Sequence, residues 1–359
     1  MKTVVFQIIT HLEMGGAERI AFNIAKSKSK EFEYHIVEVA RGNSAYTKEM
    51  IKELESCNIQ YHRSNISSNK KAIILFPFRL KKLYDKYQPS VIHTHTEIPD
   101  LSVFIFSKIF PQAKFKLVRT LHNTVLWQDW NKIGSMVEKW IIKNQANVSN
   151  SISVTEAYKK NFGPLLNIPL IYNGFKQSSQ LQYEELDYNN NKIHILFAGR
   201  FVPQKGIESL IQIVEAISEN TFDFTIAGTG PLSELLHTKL GNKSNVKIVS
   251  PISNLSSYIG SFDYVLITSI HEGLNSLSIE ASYNGTPVIV NDIAGLNETI
   301  PSDWPLKVQN NNIESYKAIF KQLPNTNREQ LKNMAFNFVD KNFSIAKMQQ
   351  EYEKFYLKN

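Results

Sequence analysis

Short apolar, β-branched runs alternate with helix-like segments along almost the whole chain. The runs TVVFQII (3–9), YHIVEVA (34–40), SVIHTH (90–95), KLVRTLH (116–122), SISV (151–154) and LIYN (170–173) predict a first series of strands. A second series follows: HILFAG (194–199), DFTIAG (223–228), VKIVS (246–250), YVLITS (264–269), PVIVND (287–292) and LKVQ (306–309). Runs that are apolar at successive positions hide both faces, so they predict parallel strands covered by helices on either side. The predicted fold class is α/β, doubly wound, and it occurs twice. Between the two series, QSSQLQYEELDYNNN (177–191) is polar, poor in apolar residues and reads as a linker. The last segment, SIAKMQQEYEKFYLKN (344–359), carries Ile345, Met348, Tyr352, Phe355 and Tyr356 on a helical stripe and predicts a closing helix.

Composition sharpens this picture without redirecting it. A chain of 359 residues suits two domains of roughly 150–200 residues each. No apolar run approaches the roughly 20 residues that span a bilayer; AIILFPF and LSVFIFSKIF are the strongest. The N-terminal MKTVVFQIIT has one lysine ahead of its apolar run and no small-residue cleavage site, so it reads as a first buried strand and not as a leader. The single cysteine, Cys57, fits a reducing cytoplasm and reads as a buried structural thiol. A formal charge of +7 suits anionic partners such as phosphates or an acidic membrane surface. Nucleic acid is not expected, because zinc-finger spacing, an RNA-recognition signature and a long basic tract are all missing.

In doubly wound sheets ligands bind beyond the carboxyl ends of the strands, and four strand-to-helix junctions here carry chemistry. The first, THLEMGGAERIAFNIA, has Gly15 and Gly16 ahead of a helix; they suit a phosphate approaching backbone N–H groups, or simply a turn. It is neither GxGxxG nor a P-loop. The second, AGRFVPQKGIESL, sets Arg200 at a strand end and Lys205 before the next helix. A planar fork and a mobile point charge suit a diphosphate, the alternative being two solvated cations. The third, AGTGPLSELL, has Gly228 and Gly230 in a turn that either lines a nucleoside pocket or merely turns. The fourth, SIHEGLNSLSIEASYNGTPVIV, places Glu272 in a loop and Glu280 in a short helix, with N–H groups from about Leu274 to Leu277 facing the same space. Carboxylates accept hydrogen bonds from vicinal sugar hydroxyls.

Together these junctions resemble the GT-B glycosyltransferases, specifically the large retaining family-4 group. The resemblance rests on GGAE (15–18), GRFVPQKG (199–206) and EGLNSLSIEA (272–281), in that order, and extends to LVRTLHN (117–123), IYNG (171–174) and the closing helix. It implies two Rossmann-like domains facing a cleft. The first, 1–175, would be the acceptor side and 193–342 the nucleotide-sugar side, with 176–192 as linker and 343–359 crossing back to the N-terminal domain. It further implies that Gly16 offers backbone N–H to donor phosphates while Arg200 and Lys205 clamp the diphosphate. Glu280 would hold the ribose hydroxyls; Glu272, with Asn275, Ser276 and Leu277, would lie against the transferred sugar; His122 would be the active-site histidine. The residues after Glu272-Gly273 read LNS where the family more often has an aromatic residue and then Pro or Gly, which makes Asn275 a further candidate contact to the sugar. The segment after IYNG lacks the acidic residue usual there.

The reaction so implied is a retaining transfer of a hexosyl or N-acetylhexosaminyl group from a nucleotide-diphosphate sugar, a UDP-sugar favoured over a GDP-sugar. The acceptor would be a glycan or lipid-linked glycan in surface polysaccharide assembly, at the cytoplasmic face of the cell membrane. No DxD occurs, so no metal or other cofactor is expected. His93 and His95 lie two apart on a strand without an evident third ligand and read as strand-end residues lining the cleft rather than as a metal site. The stretch 69–87 mixes Lys70, Lys71, Arg79, Lys81 and Lys82 with Ile73, Ile74, Leu75, Phe76 and Phe78; it is either a surface for anionic lipid or an ordinary helix with solvated lysines. Trp127 and Trp130 are either an acceptor platform or packing residues. Two rival functions are a non-hydrolysing sugar-nucleotide epimerase, expected to lack the EG…EA segment, and a catalytically silent sugar- or membrane-binding module, which would not hydrolyse donor.

Overall fold

A computed structural model describes residues 2–13, 15–128, 130–186 and 191–358. The chain divides into two compact units, Met1–Gly174 with Ile345–Asn359, and Phe175–Ser344. In the first, six parallel strands are β1 (Thr3–Ile9), β2 (Phe32–Glu38), β3 (Gln60–His62), β4 (Val91–Thr94), β5 (Lys116–Leu121) and β6 (Asn147–Ser149), in spatial order β3-β2-β1-β4-β5-β6. In the second they are β7 (Ile193–Arg200), β8 (Phe222–Thr229), β9 (Val246–Val249), β10 (Tyr264–Ile267), β11 (Val288–Asn291) and β12 (Lys307–Val308), in order β12-β11-β10-β7-β8-β9. The two topologies are the same, and each order reverses once: between β1 and β4, and between β7 and β10.

The apolar runs form strands because both faces are covered. In the first unit Val5 and Ile9 face one cluster with Ile20, Ile24 and Ile36, while Phe6 and Ile8 face another with Phe76, Leu80 and Phe106. The C-terminal helix (Ile345–Leu357) joins the first of these clusters through Met348, Tyr352 and Tyr356, four residues apart and buried. Each such side chain contributes roughly 1.5–3 kcal/mol by leaving water. A second, larger core fills the other unit around Phe197, Phe224, Trp304 and Phe320.

Several expectations need correction. SISV (151–154) is not a strand: Ser151 caps a helix (Ile152–Phe162), its side chain accepting from the Val154 N–H, and β6 ends two residues earlier. A serine cap there outweighs the β-branched run. The LIYN segment makes only an isolated bridge, Leu170 to Ser149. β3, three residues without an apolar run, went unpredicted. The polar stretch expected as a linker is fastened to the second unit, where Ser178 Oγ lies 2.6 Å from Ser256 Oγ, Leu181 N–H donates to Ser257 O at 2.8 Å and Tyr183 is buried; its residues 187–190 lie outside those described. Cys57 is exposed, following the helix Ala45–Ser56, and not buried. His93 and His95 are buried rather than lining an open surface. Trp127 is a packing residue, buried with its indole N–H donating to Glu138 Oε1 at 2.6 Å.

Candidate active site

In the second unit the loops that leave β7 and β10, the strands flanking the reversal, are laced together. Arg200 ends β7 with an exposed side chain that makes no hydrogen bond or ion pair among the described residues. The turn Pro203–Lys205 then leads to Gly206, whose φ of +67° is left-handed. A Cβ at Gly206 would stand 1.9 Å from Thr268 O, so only glycine fits. Thr268 Oγ1 in turn reaches the carbonyls of Lys205 (2.9 Å) and Gly206 (3.0 Å), and Gln204 Nε2 donates to His271 O at 3.1 Å. This backbone stitching delivers Lys205 Nζ to 2.6 Å from Glu272 Oε1, an ion pair with side-chain exposures of 22% and 9%. Lys205, Ser269, Glu272, Asn275, Ser276 and Leu277 line a cavity of about 100 Å³.

Asn275 caps the helix Ser276–Tyr283, its Oδ1 accepting from Ser278 N at 2.9 Å. The helix start leaves the Ser276 and Leu277 N–H groups without intrahelical acceptors. Glu280, one turn further on, has a different environment. It is half-buried and hydrogen-bonded to Ser256, and burial pushes its carboxyl up to about 7 against the opposing effect of that bond. Ser256 also meets Ser178 and, at 3.4 Å, Asn284 Nδ2. Sequence reasoning missed Ser178 and Ser256; nothing in the local pattern marks them. Gly228 and Gly230 pack on their own chain: a Cβ would stand 1.9 Å from Gly199 O at the former and 2.5 Å from Phe201 O at the latter.

In the first unit Gly15 is the residue ahead of the helix Gly16–Ala25, and a Cβ at Gly16 would meet nothing within 4 Å. Packing therefore does not require glycine at Gly16, whereas a Cβ at Gly15 would stand 2.1 Å from Glu18 Oε2, so the Glu18 carboxylate lies at this helix start. The loop leading to it is anchored by Glu38, which ends β2 fully buried. Its Oε1 accepts from Leu12 N (2.9 Å) and Gly42 N (2.7 Å), its Oε2 from Ser64 N (3.0 Å) and Arg63 Nε (3.4 Å). One carboxylate thus gathers the loops after β1, β2 and β3. An acid inside the apolar run YHIVEVA was the available signal for it.

His122 follows β5. Burial, helped by the charge of Arg119, pushes its imidazole down to about 4, so it is neutral near pH 7. His95 Nδ1 lies 3.3 Å from His122 Nε2. Both nitrogens of His93 and of His95 are engaged by protein groups. Among the described residues no three of His, Cys, Asp or Glu group to hold a metal ion, and no helix is long and apolar enough to cross a membrane.

Two all-parallel doubly wound units, one carrying a cation–carboxylate cluster where its strand order reverses, define a doubly wound α/β protein, a class in which ligands bind beyond the carboxyl ends of the strands at such reversals. Residues 14–178 match the family model described as Glycosyltransferase Family 4, and residues 179–337 the one described as Glycosyl transferases group 1. The capsular polysaccharide biosynthesis glycosyltransferase CapH of Staphylococcus aureus is 25% identical over 309 residues, covering 80% of this chain and 81% of its own. An uncharacterized glycosyltransferase of Methanocaldococcus jannaschii is 26% identical over 337 residues, 90% of this chain and 88% of its own. HepE of Anabaena, solved in complex with UDP-glucose, superposes with a TM-score of 0.76 at 17% identity, covering 98% of each chain. The chain belongs to the family-4, group-1 glycosyltransferases of GT-B fold.

Proposed function

We propose that this enzyme transfers a hexosyl or N-acetylhexosaminyl group, with retention and without a metal, from a nucleotide-diphosphate sugar to a glycan or lipid-linked acceptor of the cell surface. The observation that carries the reading is the Lys205–Glu272 pair, held over a cavity at the β7/β10 reversal with the unengaged guanidinium of Arg200 at the end of the same strand. Arg200 and Lys205 receive the diphosphate and oppose the charge that builds on it as the C1–O bond breaks. These two cations supply the charge a metal would otherwise bring. Glu272 and the N–H groups of Ser276 and Leu277 position the sugar, and Glu280 holds the ribose hydroxyls. Gly15 and Gly16 admit the phosphates to the helix start in the first unit, Gly228 and Gly230 shape the nucleoside side, and His122 meets a hydroxyl of the sugar. The acceptor oxygen bonds to C1 on the face the diphosphate leaves, and its proton passes to the departing phosphate oxygen. A UDP-sugar is the favoured donor, in line with the UDP-glucose complex of HepE.

A thermal-shift screen over UDP-, GDP- and ADP-sugars tests the donor, since stabilisation follows ligand concentration over affinity. Arg200→Ala and Lys205→Ala should abolish the shift; an unchanged shift in both refutes the clamp. Epimerised donor with no transfer would favour the rival epimerase, and no donor turnover at all a silent binding module. The helix Asn69–Tyr87 exposes Ile74 (65%), Leu75 (49%) and Phe78 (52%) beside Lys71 and Lys82, which supports a peripheral contact with an anionic membrane at its cytoplasmic face. Co-sedimentation with phosphatidylglycerol vesicles, lost in Phe78→Glu, is the check.

A further inference from the structure

Seven polar side chains of the first unit form an unbroken run of hydrogen bonds from His122 to the C-terminal helix. His122 Nε2 meets His95 Nδ1 at 3.3 Å, and His95 Nε2 meets Gln7 Oε1 at 2.7 Å. Gln7 Nε2 donates to the Tyr356 hydroxyl at 3.0 Å, which lies 2.7 Å from His93 Nδ1. His93 Nε2 meets Thr120 Oγ1 at 2.8 Å, and Thr120 Oγ1 meets the Tyr352 hydroxyl at 2.6 Å. Gln7, His93, His95, Thr120, Tyr352 and Tyr356 are all buried. Polar groups so placed are costly unless each is satisfied, and apolar residues would pack the same space at lower risk.

The run has one internally consistent direction. Gln7 is the member whose two ends differ in kind, oxygen toward His95 and nitrogen toward Tyr356. Its oxygen accepts only, so His95 carries its proton on Nε2 and, being neutral, has a bare Nδ1. That Nδ1 accepts from His122, whose proton is therefore on Nε2. On the other side the Gln7 amide donates to Tyr356, Tyr356 to His93, His93 to Thr120 and Thr120 to Tyr352. Each bond of the run then pairs one donor with one acceptor, and the run ends at the Tyr352 hydroxyl. We infer that Gln7, His95 and Tyr356 are positioning residues for His122, fixing it as the Nε2–H tautomer so that its Nδ1 lone pair is presented to accept a hydrogen bond from a substrate hydroxyl. Burial holds all three histidines below their ordinary range and keeps them neutral, as the relay needs. The inference rests on His122 being the active-site histidine. It adds that the last helix of the chain sets the state of that residue.

The full chain, labelled with ¹⁵N-histidine and recorded at pH 8, reports the tautomer directly. His122, assigned by its loss in His122→Ala, should show a protonated Nε2 and an unprotonated Nδ1. A protonated Nδ1 means the relay runs the other way and overturns the proposal. Tyr356→Phe removes one hydroxyl from the relay, whereas Tyr34→Phe removes one that also faces the C-terminal helix, at Glu353, but lies off the relay. The first should scramble the His122 tautomer and lower kcat for UDP release from UDP-glucose about tenfold, the scale of one lost hydrogen bond, with donor KM within about twofold. The second should leave both near wild type. Equal behaviour of the two variants overturns the relay. If instead His122→Ala turns over normally, the reading of His122 itself is lost, while the ¹⁵N pattern still decides the tautomer.

Discussion

The Lys205–Glu272 contact can be separated into a structural and a chemical part by a double-mutant cycle. Breaking a buried ion pair by removing one partner costs about 3–5 kcal/mol, an exposed one about 0–1. At exposures of 22% and 9% this pair lies between those limits, so Lys205→Ala should cost about 2 kcal/mol. Glu272→Gln keeps an oxygen that accepts from Lys205 and should cost about 1 kcal/mol. In the double variant neither charge is stranded, and about 1 kcal/mol of coupling should be recovered. Scanning calorimetry reads this as melting shifts of about 2–4 °C per kcal/mol for a domain of this size.

Catalysis should not follow stability. Lys205→Ala removes a preorganised charge from the leaving diphosphate, an effect on the order of 100- to 1,000-fold on kcat, and the double variant should be as slow or slower although no less stable than the lysine variant alone. Recovery of turnover in the double variant would show that Lys205 acts only by neutralising Glu272. A coupling below about 0.3 kcal/mol would show that the ion pair does not form in solution.

Gly206→Ala should be among the most damaging single changes, about 3 kcal/mol or more by denaturant titration, because a left-handed φ and a clash with Thr268 O coincide there. Gly134→Ala should destabilise by about 2 kcal/mol despite the better helix propensity of alanine, since its Cβ would stand 2.3 Å from Trp127 Cγ. A red-shifted tryptophan emission would report the displaced indole, and an unchanged spectrum would contradict the packing. Glu280, raised to about 7 in the fold, binds more protons folded than unfolded, so its contribution falls as pH rises from about 4.5 through 7. Glu280→Gln should therefore gain on wild type by on the order of 1–2 kcal/mol between pH 5 and pH 8, allowing for partial exposure; a constant difference across that range would place its pKa at an ordinary value.

How far the sequence reveals this enzyme depends on the range of the interaction. Strands buried on both faces write their environment into consecutive residues, so ten of the twelve were visible as apolar runs; the failures came where a local rule was outbid, as by the Ser151 cap, or where β3 was too short to write a pattern. Lys205, Glu272 and Glu280 were visible as residue types at strand-to-helix junctions. Their surroundings were not: the ion pair joins positions 67 apart, and Ser256, the partner of Glu280, is met in turn by Ser178 from a segment read as linker.

The polar relay marks the limit of pattern reasoning and also shows what it leaves behind. Gln7 in FQII, His93 and His95 in IHTH, and Thr120 in RTLH are polar interruptions in three of the most apolar strands. Register brings Gln7 opposite His93 and places β4 between β1 and β5, so the interruptions converge on neighbouring strands at one face of the sheet. Each alone would be a packing defect in a buried strand. Their convergence is intelligible only with Tyr352 and Tyr356 added from the far end of the chain, 349 positions from Gln7 in the longest of these contacts. A helix needed only to cover that face could do so with leucines at the same spacing. Hydroxyls there, each answered by a strand residue, give the helix a polar role beyond the surface it buries.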